Sequence, residues 1–521
     1  MCIRDRDYSN EVRSMKVYFL EKVTEGIRHG LMITNSVRGT CAINIYGFYS
    51  VLECGNDLMT NRALFTHIIH IGQYEKILGV MRVGIIKSLE TIEEVVPLAK
   101  QAMKIKLDFD HPLLFPINGF VEMLVEAHRS REGRNSGLIA VVAEEETLED
   151  VTENKNLARR LNEIDGLSGA LMAPQELEIY DGRVCWKGRA VSVIFMDFNT
   201  DVLLALHRRY DLSPVLQAVR ERRVINPRGT EPINVKSMFE VITGPHRNKF
   251  HKEIVSRTPW TRQFYSRRTH SPGGEKINDL IEWTRSNWDE LVLKPERGYS
   301  GKGVRVGQIN KDPDEAIRLA LKEENYIVQE KIPLALWAEE IPVLENEHVV
   351  MERCQTDFRC LMGHKGMFGF LGRYGGVPTN VGSGGGVQPL GVLDSDIPVR
   401  EAVNRINESI LSIKYDLLSE VDRMQKKMTL EHEFTYLLGP IKIALRPRVI
   451  TTDQLNALEN YCTKLWSDCL ILEKMWLAGE LDEIIKIEEE ELEIARMHPW
   501  GGDPAIIASD GLFSFGAHPE G

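Results

Sequence analysis

The apolar positions follow two periods along the chain. Over 14–110, VYFLEKVTEGIRHGLMI and NRALFTHIIHIGQYEKILGVMRVGIIKSLETIEEVVPLAKQAMKIKL place apolar residues three and four apart. That spacing predicts amphipathic helices, with a kink or break at Pro97. At Leu138 the period changes. LIAVVAE is a short β-branched run of the kind a buried parallel strand carries. NKNLARRLNEIDGLSGALMA, 154–173, then predicts a helix, ELEIYDGRVCWKG two strands about an Asp181-Gly182 turn, and AVSVIFMDF another buried strand. Strand, helix and strand in succession imply a small α/β domain over 131–235.

Past about 401 the pattern is helical again. ESILSIKYDLLSEVDRMQKKM and TTDQLNALENYCTKLWSDCLILEKMWLAGELDEIIKIEEEELEIARM both carry helical spacing, and the tail GDPAIIASDGL holds one short strand. The expected organisation is a leader at 1–13, a mainly helical region at 14–130, the α/β domain at 131–235, a chemically informative segment at 236–400 and a helical region at 401–521. The fold class is α/β, or α+β.

Composition narrows the function. The 521 residues carry 76 acids and 64 Lys or Arg, a net charge of −12, with 43% hydrophobic residues. These proportions are those of a globular protein. An acidic chain without a long basic run lacks the surface that drives nucleic-acid binding. The eight cysteines form no C-x-x-C pair and argue for a reducing, cytoplasmic compartment. Cys462 and Cys469 lie on one helix face and read as core residues. No apolar run is long enough to span a membrane. His67 and His70, three apart, read as a hydrogen-bonded pair in preference to a metal site. The acidic run Glu488 to Glu491 reads as a solvated helix face, and Trp466 and Trp476 as helix core.

The chemistry concentrates in three pieces of 236–400. In ELVLKPERGYSGKGVRVGQ a strand ends at Lys294-Pro295, a loop with Gly298, Ser300, Gly301 and Gly303 follows, and the strand VRVG resumes. Glycines let backbone N–H groups approach a polyphosphate, and Lys294 supplies a fixed cation. This loop joins two strands, whereas a P-loop or dinucleotide-binding loop leads into a helix. A tight hairpin explains the same glycines. The second piece, YIVQEKIP, is a strand ending at Gln329-Glu330. The third, TDFRCLMGHKGMFGFLGRYGGVPTNVGSGGGVQPL, reads as a hairpin of strands carrying Asp357, Arg359 and Arg373 in register, so that they face one cleft. Arginine forks suit anions. Asn380 and the run Ser383-Gly384-Gly385-Gly386 then form a loop.

In this order and spacing the three pieces resemble the ATP-grasp superfamily, and in detail its circularly permuted type, the glutathionylspermidine synthase-like ligases. DGRVCWKGRAVSVIFMDF, Asn226 in RRVINP, VKSMFEVIT and TPWTR add to the likeness, which covers roughly 135–395. The resemblance implies that Lys294 binds ATP phosphates under a lid of Gly298, Ser300, Gly301 and Gly303. Gln329, Glu330 and the backbone at Lys331 and Ile332 would hold adenine. Lys236 would be a second nucleotide lysine, and Arg359 and Arg373 would stabilise the transferring phosphoryl group. Mg²⁺ would fall to Asp197, Asn226 and Asp357, with Asn199 and Asp211 as further candidates; no Glu-x-Asn pair precedes Lys294. Asn380, Ser383 and Gly384 would contact substrate.

The implied reaction is ATP-dependent joining of a small-molecule carboxylate to an amine through an acyl phosphate, with ATP and Mg²⁺ as cofactors and no nucleic-acid or membrane partner. A non-catalytic nucleotide-binding scaffold and an ATP-dependent phosphotransferase are the alternatives.

Overall fold

The computed structural model describes residues 105–511, apart from 106, 109–110, 115, 149–151, 197, 298–302, 333–337, 377–384, 389, 395, 417, 420–421, 424–434, 437–438 and 441. The helical expectation for 14–104, with Pro97, His67 and His70, lies outside the described residues. The chain is a mixed α/β protein with several sheets. Among the described residues, no helix is long and apolar enough to cross a membrane.

The first body is a parallel sheet flanked by helices. Helix α1 (Pro116–Glu132) buries Phe120, Met123, Leu124 and Ala127, one stripe at three- and four-residue spacing. Strand β1 (Gly137–Val142) follows, then α2 (Thr152–Asn162) and β2 (Leu167–Met172). The helix expected through Ala173 therefore stops eleven residues early. Asp165-Gly166 breaks it, with Gly166 at φ +80, and LSGALM pairs in parallel with β1 from Gly137↔Leu167 to Val142↔Met172. Burial between β1 and α2 outweighs the helical spacing of these apolar residues. Gly169 is required there, since a Cβ would stand 2.3 Å from the Ala158 carbonyl of α2.

Strands β3 (Glu178–Tyr180) and β4 (Arg183–Trp186) form the expected hairpin, with Asp181 and Gly182 both at positive φ. Strand β5 (Arg189–Met196) lies on the other side of β1, parallel to it, and leads into α3 (Thr200–His207) and α4 (Ser213–Arg220). Strand β6 (Val224–Ile225) closes the parallel order β2-β1-β5-β6.

After the short helix α5 (Met238–Thr243), four antiparallel strands make a second sheet. These are β7 (Thr261–Gln263), β8 (Leu291–Pro295), β9 (Arg305–Val306) and β10 (Tyr326–Glu330), in the order β9-β8-β10-β7. Two helices, Leu280–Ser286 and Pro313–Glu323, supply the apolar cover on one side, where Leu280, Ala316, Ile317 and Ala320 meet Leu291, Leu293, Tyr326 and Val328. Side chains alternate across a strand, so Val292, Lys294, Ile327, Gln329, Thr261 and Gln263 share the opposite face.

The third sheet is built on a long hairpin. Strands β11 (Ala338–Glu345), β12 (His348–Gly363) and β13 (Gly366–Gly375) run antiparallel, and β14 (Gly386–Gln388) continues the order. Helix α6 (Thr452–Leu477) opens on a capping box between Thr451 and Gln454. It buries Leu455, Leu458, Cys462, Leu465, Cys469, Leu472 and Trp476, alternating steps of three and four. Cys462 and Cys469 are thus core residues, as their spacing implied. The helix ends at Leu477, and a second one, α7 (Glu489–Met497), follows. Strand β15 (Ile507–Gly511) then pairs with Phe358 to Met362 of β12.

Candidate functional site

Strand β8 presents Lys294 on the face away from the covering helices. Its Nζ donates to Gln329 Oε1 at 2.6 Å. Gln329 is diagonal to it, opposite Val292 on β10. Gln329 Nε2 in turn donates to Thr261 Oγ1 at 2.9 Å. A cation, an amide and a hydroxyl therefore cross three strands as one chain of hydrogen bonds. Gln329 is 5% exposed and Thr261 fully buried, so this chain is held rigidly.

Gly303 stands where the chain enters β9, at φ +72. A Cβ there would come within 2.6 Å of the Tyr326 hydroxyl and 2.8 Å of Pro295 Cγ. Its carbonyl accepts from Tyr326 Oη at 3.2 Å and from Arg305 Nη1 at 3.1 Å. The root of the glycine loop is therefore tied to the ends of β8 and β10. Gly298, Ser300 and Gly301 lie outside the described residues.

Lys236 reaches this end of β8 from the segment before α5. Its backbone N–H donates to the Glu296 carbonyl at 3.1 Å, and its Nζ approaches the same oxygen at 3.5 Å. Burial draws the Lys236 ammonium below its ordinary pKa, and the nearby Glu296 only partly offsets this. Burial likewise pushes the Glu296 carboxyl up, against the pull of Ser237, Arg297, Lys486 and Lys236.

At the other end of β8, three groups expected to meet adenine have partners already. The Glu330 N–H donates to the Trp260 carbonyl at 2.8 Å, and its Oε2 accepts from the Trp260 N–H at 3.3 Å. The Lys331 N–H donates to the Glu290 carbonyl at 2.8 Å, and Lys331 Nζ to the Asp289 carbonyl at 2.5 Å. Lys331 is thereby turned back onto its own sheet. Ile332 follows, half-buried.

The expected alignment of Asp357, Arg359 and Arg373 is present. Asp357 and Arg359 are two apart on β12, and Asp357 stands directly opposite Arg373 on β13. All three lie on one face of that sheet. The Asp357–Arg373 pair is bidentate, with Nε to Oδ1 at 2.7 Å and Nη2 to Oδ2 at 2.8 Å, and both side chains are nearly buried. Arg359 is half-buried.

The described members of the expected metal set, Asn226 and Asp357, are not brought together. Asn226 Oδ1 accepts from the Ile506 N–H at 2.7 Å. Ile507 is opposite Met362, so Asn226 lies near a point five residues along β12 from Asp357, about 17 Å at strand rise. Asp357 is taken up by Arg373. Asn199 stands at the N-cap position of α3, and Asp211 accepts from the Ser213 N–H at 3.0 Å in an exposed loop. Asp197, Asn380, Ser383 and Gly384 lie outside the described residues. Among the described residues no three His, Cys, Asp or Glu side chains gather as a metal site. The two described members of the donor set named from the sequence do not fit Mg²⁺ as they stand, because Asp357 is neutralised by an arginine and the Asn226 amide serves the backbone.

Two networks had no signal in local spacing. Arg297, just before the glycine loop, pairs with Asp201 of α3 at 3.2 Å and with Glu491 of α7 at 2.7 Å. Glu491 is 3% exposed, which corrects the reading of the acidic run as a solvated face. Burial against Arg297 draws this one glutamate inward, while Glu488 and Glu490 remain exposed near Arg208. The second network is a buried triad in which Glu339 of β11 lies between Arg446, whose Nη2 it accepts from, and Arg448, whose Nε is 3.4 Å away. Arg448 also stacks on Phe358 at 4.1 Å. Its partners are about 100 residues apart in sequence.

No protein-family model matches the chain, and no curated protein matches it.

Proposed function

We propose that this chain is an ATP-dependent carboxylate–amine ligase of ATP-grasp type. The observation that carries the proposal is the placement of Lys294. It sits on a glycine-loop hairpin, on the sheet face away from the apolar helices, fixed by Gln329 and followed by the loop root at Gly303. A triphosphate lying along β8 toward that root meets the ammonium near its terminal phosphates. Arg359, on the same strand face as the mutually neutralised Asp357–Arg373 pair, supports the second half of the reading, a cation for the transferring phosphoryl group.

In this reading a substrate carboxylate oxygen attacks the γ-phosphorus of ATP. The bond to the β,γ-bridging oxygen breaks, leaving ADP and an acyl phosphate. An uncharged amine then attacks the acyl carbon, the phosphate leaves, and the amine proton is lost to solvent. The chain's own contribution is charge neutralisation by Lys294 and Arg359, together with exclusion of water. No step is routed through Mg²⁺, since no fitting donor set is assigned. Adenine would lie beyond Glu330 toward Ile332, because the Glu330 and Lys331 N–H groups are already engaged.

The dispersal of the expected metal ligands favours one alternative, a nucleotide-binding scaffold without turnover. ADP release against a panel of carboxylates and amines, with Lys294→Ala as control, separates the readings. Amide product with ADP supports the ligase. ATP binding without turnover supports the scaffold, and a stable phosphorylated product a phosphotransferase. ATP affinity unchanged in Lys294→Ala overturns the site itself.

A further inference from the structure

At Arg297 the chain leaves the end of β8 for the glycine loop. The residue before it is held by its backbone. The Glu296 N–H donates to the Asn325 carbonyl at 2.7 Å, and the Glu296 carbonyl accepts from the Lys236 N–H at 3.1 Å. Arg297 is held by its side chain. Its Nη1 is 3.2 Å from Asp201 Oδ2, and its Nη2 is 2.7 Å from Glu491 Oε1. Asp201 is in the first turn of α3 and Glu491 in the first turn of α7. A carboxylate there is favoured by the helix dipole. The two helices share one apolar cluster, with Leu203 of α3 and Ile494 of α7 in it, so both carboxylates are carried by packed elements.

The guanidinium has no charge to spare. Besides Asp201 and Glu491 it feels Glu231, a buried carboxylate whose Oε1 accepts from the Thr200 N–H at 3.0 Å. Arg228, 3.4 Å from Glu231, partly balances this third carboxylate. Glu491 is itself buried, and taking its partner away would strand a charge in the interior. Arg297 therefore works through its fork, one arm to each helix, a geometry that the point charge of a lysine does not reproduce. The other root of the loop, Gly303, is tied to Tyr326 and Arg305 within the second sheet. One root thus follows that sheet, and the other follows α3 and α7.

We infer that Arg297 is a positioning residue for the proposed nucleotide site: it ties the end of β8 to α3 and α7, and so sets where the first root of the glycine loop stands, without itself binding phosphate. The inference rests on the nucleotide reading of β8 and assigns a residue which that reading leaves out. It carries a sign. A cation held in reserve for the phosphates would tighten ATP when released from Glu491, whereas a strut that is released loosens it. It also carries a place. β8 runs about 14 Å from the Leu291↔Glu330 pair to the Pro295↔Tyr326 pair, so the adenine end of a bound nucleotide is remote from Arg297 and only the phosphate end is affected.

The test titrates the full chain with ATP by calorimetry and with adenosine by ligand-observed NMR. Glu491→Gln should weaken ATP about fivefold and leave adenosine unchanged. Asp201→Asn, at an exposed side chain where folding is not at risk, should act in the same direction by about twofold. Arg297→Lys, which keeps the charge but not the fork, should weaken ATP as much as Arg297→Gln. Urea unfolding shows that each variant is folded under the conditions of titration. Tighter ATP binding in Glu491→Gln, recovery of affinity in Arg297→Lys, or equal losses for ATP and adenosine overturns the inference, and so does an ATP affinity indifferent to these variants. Failure of the nucleotide reading shows separately, as an unsubstituted chain that binds no ATP, and it takes the inference with it.

Discussion

Lys294 and Gln329 are diagonal neighbours on adjacent antiparallel strands, and the ammonium donates to the amide oxygen at 2.6 Å. The bond fixes a long, flexible side chain before any ligand arrives, so less rotamer entropy remains to be lost on binding. Gln329→Leu should therefore weaken ATP binding as well as remove the bond to Thr261. With two polar partners left without Gln329, unfolding stability should fall by about 1–3 kcal/mol. Calorimetric titration with ATP and urea denaturation of the same variant check the two effects.

Gly303→Ala should be harmful for two reasons. The residue sits at positive φ, and its new methyl group would meet the Tyr326 hydroxyl and Pro295. The backbone conformation alone costs about 1–3 kcal/mol for a residue with a side chain. Thermal unfolding should shift downward, and ATP affinity should fall with it. An unshifted melting temperature would show that the loop root tolerates a Cβ.

Asp357 and Arg373 form a buried bidentate pair, so removing one partner strands the other. Asp357→Asn should cost about 3–5 kcal/mol, and the double variant with Arg373→Met less than the sum of the two singles. Denaturant unfolding of the four proteins in this cycle measures the coupling. Additive losses would contradict a direct pair.

His498 is fully buried, and burial together with Arg131 and Arg228 lowers its pKa to about 3. The unfolded chain takes up a proton on this residue below about pH 6.5, while the folded chain does not. The unfolded state then binds more protons, so stability falls as pH drops from about 6.5 toward 3, by about 1.4 kcal/mol per pH unit from this group. Between pH 6.5 and 5 the loss should be about 2 kcal/mol. His498→Gln should flatten that part of the stability–pH curve, which urea titrations at the two pH values can follow.

Much of the candidate site was legible because it depends on strand alternation. Asp357, Arg359 and Arg373 could be placed on one face from period two alone, and Lys294 at the end of β8 from the run LVLKP. What misled was spacing shared by two structures. LSGALM fits a helix as well as a strand, and its pairing with β1 decided it. Asn226 and Asp357 do not meet, because residue type names a possible metal donor without saying which neighbour already claims it. Asn226 serves the Ile506 backbone, and Asp357 serves Arg373.

By itself the sequence determined the period of β1, β5 and α6, the turn at Asp181-Gly182, the glycine-loop hairpin and the core stripe of α6. All of these follow from contacts within a few residues, where side-chain direction is set by the local backbone. Only the tertiary structure decided that Glu491 leaves its acidic run to meet Arg297 and that Glu339 lies between Arg446 and Arg448. Those partners come from segments far apart in the chain. Their meeting depends on how whole sheets and helices pack, which no local pattern encodes.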